Sequence, residues 1–203
     1  REEYIKHTAN SLRCGKVGLH FSVLGGGAVF HAGKSDGVHQ REVWHGSRVS
    51  EACTRPPCPR LLASPSAFVA LELRGDQRLR VSKRDGRCFF DQLRLPAELE
   101  QYMGRPSVTP RELVNVGMDL DEIARHLRGR YDREEIVISD GAFLDIDLWP
   151  CSRVWGMGFA WSSFVSQETL LGMLARAGLD NSRALAQNVP APTDAPVFFQ
   201  LGD

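Results

Sequence analysis

Apolar and polar positions over Ala28–His31 and Val38–Trp44 flank the run Gly33-Lys34-Ser35-Asp36-Gly37, and this pattern predicts a β-hairpin with a glycine-bracketed tip. The hairpin places Lys34 at the tip and Arg41 on the return strand, facing solvent or a ligand. The same stretch nearly spells a phosphate-binding loop. However, the residue five places before Gly33 is Ala28, Gly27 comes one position too early, and no apolar stripe at helical spacing follows Ser35.

Elsewhere, residues 1–15 carry a weak helical pattern ending at Gly15, and the proline-punctuated run 55–66 reads as a connection between two lobes, 1–66 and 67–203. AFVALEL and QRLRVSK predict a strand pair around Arg74-Gly75-Asp76. Residues 109–129 hold the clearest helix signal, with Thr109 as cap, Pro110 in the first turn, Glu112 closing a capping box and Gly117 as a point of division. EEIVI and AFLDIDLW predict a second hairpin. A glycine-rich turn then feeds a helix with Phe164, Gln167, Leu171 and Leu174 on one face, stopping at Gly178, and VFFQL reads as a buried strand. Strands and helices mix without regular alternation, which favours an α+β fold.

Composition narrows the classes. With 25 basic and 25 acidic residues in 203, no global field draws the chain to nucleic acid or membrane, although a local basic groove survives the averaging. Five cysteines without regular spacing do not make a disulfide framework, so a reducing, intracellular compartment is expected. Cys53 and Cys58 near His39 and His45 have awkward spacing for zinc. No apolar run approaches membrane-spanning length.

Four short stretches carry a resemblance. In Lys83-Arg84-Asp85-Gly86-Arg87-Cys88-Phe89-Phe90-Asp91-Gln92-Leu93, a strand-end acid precedes an exposed aromatic by five residues. The segment resembles the first palm motif of retroelement reverse transcriptases, with Asp85, Phe90, Gln92 and Leu93 on its positions. Gly158 to Gln167, preceded by Met157, resembles the second palm motif, and the hairpin from Lys34 through Arg41 to Arg48 resembles the family's fingers. VFFQLGD resembles the start of the third palm motif, with Asp203 as the first acid of its doublet. The four occur in the family's order over about residues 34–203.

The resemblance implies a right-hand polymerase fingers (1–66) and palm (67–203, with an insertion at about 96–133). Its sheet would be mainly antiparallel, and the chain would stop before the thumb and be inactive as this fragment. It implies catalytic, Mg²⁺- or Mn²⁺-holding Asp85 and Asp203, with the ions roughly 3.5–4 Å apart. Lys34, Arg41, Phe90, Met157, Gly158 and Gln167 would serve nucleotide binding, Phe90 as a steric gate against a 2′-hydroxyl. The partners would be an RNA or DNA template-primer and deoxynucleoside triphosphates, with no membrane. His45, Ser47 and Ser163 depart from the family pattern. Two alternatives stand beside it: an ADP-ribosyltransferase-like enzyme, from the His-Gly pair in Val43-Trp44-His45-Gly46-Ser47, and a degenerate remnant without catalysis.

Overall fold

The computed structural model describes residues 1–34, 37–58, 61–73, 75–76, 78–83, 86–128, 141–187, 189–193 and 196–201. In chain order its regular elements are α1 (Glu2–Arg13), β1 (Val17–His20), β2 (Ala28–Gly33), β3 (Gln40–His45), α2 (Ser47–Ala52), β4 (Leu62–Ala63), α3 (Phe89–Gln92), α4 (Pro110–Asn115), α5 (Leu120–Arg125), β5 (Trp149–Ser152), α6 (Ser162–Arg176) and β6 (Gln200–Leu201), with several short 3₁₀ turns. The fold is therefore mixed α and β, with small two-stranded sheets. The chain groups into two units, 1–54 with 90–159 and 55–89 with 160–203, a grouping that runs across the sequential lobes 1–66 and 67–203.

In the first unit, α1 buries Ile5, Ala9 and Leu12, one face at helical spacing, and ends where Gly15 takes φ +71°. Val17 and Leu19 of β1 join them, with Val108, Leu113, Met118, Ile123, Phe143 and Leu148, in one apolar core. β1 pairs antiparallel with β5, Val17 opposite Ser152 and His20 opposite Trp149. β2 and β3 form the expected hairpin, Ala28 opposite His45 and Gly33 opposite Gln40. α4 and α5 are the two pieces expected around Gly117, which has φ +91°. Thr109 and Glu112 make both bonds of the capping box, and Asp119 caps α5. Replacing Thr109 with alanine removes the side-chain acceptor of the Glu112 N–H and is expected to cost about 1 kcal/mol in urea unfolding. An unchanged midpoint would mean that water replaces the cap.

Two expected strand pairs are corrected. Pro65–Ala70 is a 3₁₀ turn, and among the described residues of 71–83 there is no strand. An alternating pattern folds as sheet only where a neighbouring strand accepts its backbone groups, and here Val69 stands 87% exposed. EEIVI lies outside the described residues. AFLDIDLW is not a hairpin arm: Gly141–Asp145 form a 3₁₀ turn, Leu148 bridges to Val108, and Trp149 begins β5. The strand partner of β5 is β1, far away in the sequence, Trp149 standing opposite His20, which no local pattern reveals.

The second unit holds β4 and β6, paired in parallel, and α6, which runs as expected and closes at Gly178 with φ +85°. VFFQL contributes only Gln200 and Leu201 to a strand, while Phe198 bridges Ala184 and the Phe199 ring meets that of Phe68 edge-on at 4.4 Å. Among the described residues, no helix is long and apolar enough to cross a membrane.

Candidate functional site

The hairpin β2–β3 carries chemistry on both faces. Arg41 is exposed, opposite Ala32, and Lys34 is exposed at the tip, where its N–H donates to the His39 carbonyl at 2.8 Å. Alternation sends Glu42 to the same face as Trp44, whose residue is 2% exposed. The Trp44 backbone N–H donates to the Met157 carbonyl at 2.9 Å, and its indole N–H donates to the Gly104 carbonyl at 3.0 Å. Gly158 follows with φ +103°, and a Cβ there would overlap the Trp44 carbonyl. Phe159 packs edge-on against Trp44 and stacks on Trp155 at ring distances of 6.1 and 6.0 Å. The glycine turn that resembles the second palm motif thus lies directly on the return strand of the hairpin that resembles the fingers.

Phe90 is half-buried on α3, the single helical turn that follows Cys88 at φ +49°. Gln167 belongs to the second unit on α6, 2% exposed, and its amide oxygen and nitrogen have no hydrogen-bond partner among the described residues. Asp85 and Asp203, the pair expected to hold magnesium, lie outside the described residues.

Among the described residues, the most densely bonded group was not among the sequence candidates. Glu42 accepts two hydrogen bonds from Arg105, Nη1 to Oε2 at 3.0 Å and Nη2 to Oε1 at 2.9 Å, and pairs with the Lys16 ammonium at 3.0 Å. His7 Nε2 meets the same carboxylate. Arg105 in turn donates to Ser152 Oγ, and Lys16 also reaches Asp91 at 2.9 Å. Burial acts to raise the Glu42 carboxyl, but the bond from His7 and the charges of Arg105 and Lys16 outweigh it and hold the group well below the carboxylate range. The signal that could have exposed it is positional: an acid two residues before a tryptophan on an alternating strand shares that residue's buried face.

His7, His31 and Glu42 bring their ligand atoms within 4.8 Å of one another, the one such group among the described residues. Imidazole and carboxylate suit a transition metal by type. Two cations already occupy the Glu42 carboxylate, however, so a dication would have to displace them, and the arrangement is better suited to joining α1, β3 and Arg105 than to holding an ion. Burial, followed by the Glu100 charge, pushes the Cys151 thiol up to about 12, which favours the protonated form over the thiolate.

Beside α2, a depression of about 250 Å³ is lined by Gly26, Gly27, Ala28, His45, Ser47 and Arg48, with His45 exposed at the end of β3. Comparison of the chain with protein-family models, curated proteins and solved structures found no match.

Proposed function

We propose that the chain is the fingers-and-palm portion of a retroelement RNA-directed DNA polymerase, acting on an RNA or DNA template-primer with deoxynucleoside triphosphates. The observation that carries this reading is the bond between Trp44 and Met157. Two stretches over 110 positions apart, each resembling a polymerase motif, lie side by side, with glycine at the one place where a side chain would separate them. In this reading Lys34 and Arg41, both exposed on the hairpin, contribute positive charge toward a triphosphate. Phe90 excludes a ribose 2′-hydroxyl by bulk, and the Gly158 backbone approaches the base pair. Asp85 and Asp203 are the oxygen donors for Mg²⁺ or Mn²⁺, which would lower the pKa of a primer hydroxyl and neutralise the triphosphate. The test is primer extension by the chain extended through its downstream reading frame. Extension is expected with the wild-type sequence and its loss with Asp85→Asn, while equal activity in that variant would remove Asp85 from the mechanism and the reading with it.

The depression at His45 supports a second reading, an ADP-ribosyltransferase-like site in which the strand-end His45-Gly46 pair takes nicotinamide. Consumption of NAD that is lost in His45→Ala would favour it over the polymerase.

A further inference from the structure

Three arginines, widely separated in sequence, converge on the backbone between α1 and β1. Arg94 Nη1 donates to the Gly15 carbonyl at 3.1 Å, and a Cβ placed on Gly15 would lie 4.0 Å from Arg94 Nη2 and 3.9 Å from Arg153 Nη1. At Gly18 a Cβ would meet Arg128 Cγ at 2.7 Å and Nε at 3.1 Å, with Arg153 Cδ at 3.4 Å. Gly18 therefore leaves the room that the Arg128 side chain occupies, while at Gly15 a Cβ would stand in ordinary contact with Arg94 and Arg153.

Among the described residues the compensating charge is short: Glu100 is the one carboxylate paired with Arg153, at 3.5 Å, and it also faces His20. Arg128 Nε and Arg153 Nε are shielded from solvent; Arg128 Nε has no hydrogen-bond partner among the described residues, and Arg153 Nε faces the Glu100 carboxylate at 3.5 Å, too long for a well-formed bond. Burial and then the neighbouring Arg128 lower the Arg153 guanidinium, and burial, Arg128, Arg125 and Arg153 lower the His126 imidazole, with only Glu122 opposing. A shielded donor without an acceptor, and like charges that share a single counter-ion, are costly to hold together unless a ligand supplies what is missing. Gly15 and Arg94 also line a cavity of about 490 Å³ with Lys16, Asp91 and Gln92. Lys16 is committed to Glu42 and Asp91, so Arg94, which donates through Nη1 to Gly15, is the lining cation with no carboxylate partner among the described residues.

We propose that Arg94, Arg128 and Arg153 form a phosphate-binding site beside this cavity, taking the phosphate of a nucleotide or of a nucleic-acid strand. Guanidinium groups match phosphate oxygens with paired donors, and the cavity has room for the sugar or base attached to that phosphate. The site does not depend on the polymerase reading: phosphate binding without primer extension would keep one and remove the other.

The test measures the whole chain with two probes, inorganic phosphate by thermal shift and a fluorescein-labelled dT12 by anisotropy across a salt series. Variants are Arg94→Gln, Arg153→Gln and their combination, with Arg176→Gln, exposed on α6, as control. Arg94 is exposed, so its variant keeps the test informative if Arg153→Gln does not fold. Phosphate is expected to raise the wild-type Tm and to leave the double variant unmoved. Where a strand is the source, dT12 binding weakens about tenfold in Arg94→Gln, and the salt slope falls by about 0.7 for each arginine lost. A phosphate-induced shift without those changes in dT12 binding assigns the site to a free nucleotide or phosphate. Wild-type and Arg94→Gln proteins alike in both assays would overturn the proposal.

Discussion

Replacing Glu42 with alanine is expected to destabilise the chain by about 3–5 kcal/mol, measured as the shift in urea unfolding at about pH 7. The carboxylate is the shared partner of Arg105, Lys16 and His7, and the Arg105 side chain is 2% exposed. Removing it leaves a buried guanidinium whose remaining side-chain partner is the Ser152 hydroxyl. A loss under about 1 kcal/mol would mean that water takes over the carboxylate's role. Acid supplies an independent check. In the folded chain the Glu42 carboxyl is held below its ordinary value of 4.5, so the folded state keeps it ionised where the unfolded chain takes up a proton. Its contribution is complete above that value and declines as pH falls below it. The stability gap between wild type and Glu42→Gln should therefore be constant from about pH 7 to 6 and narrow toward about pH 3. A gap that stays constant to the acid end would contradict the charge assignment.

Truncating Trp44 to alanine is expected to cost a similar amount, about 3–5 kcal/mol, for a different reason. The ring is 2% exposed, and its loss would open a cavity beneath Phe159 and Gly156 and leave the Gly104 carbonyl without its indole donor. Trp44→Phe keeps most of the apolar volume and removes the donor, so it should lose much less. If both variants unfold at the wild-type midpoint, the hairpin is not anchored through this ring. The effect also matters for function, since this packing holds the hairpin against the Met157–Gly158 turn on which the polymerase reading rests. A chain that stays folded but loses that contact should keep its α1–β1 core, because Ile5, Leu12, Val17 and Leu19 pack separately from Trp44.

Local signals in the sequence determined the local elements. The hairpin at 28–45 was legible because its alternation is bounded by a glycine-rich tip, and α4 and α5 because Thr109, Pro110, Glu112 and Gly117 each act on backbone within one turn of themselves. The stop of α1 at Gly15 and of α6 at Gly178 belongs to the same class, since a positive φ is a property of the residue that takes it. Tertiary structure alone decided the rest. β1 found its partner in β5, the alternating run at 67–73 found no strand to pair with among the described residues, and Glu42, Arg105 and His7 met from three distant stretches. The arginines at 94, 128 and 153 did the same. Burial and charge neighbourhood depend on which segments the fold brings together, and a carboxylate or guanidinium carries no mark in the chain of the partners it will meet.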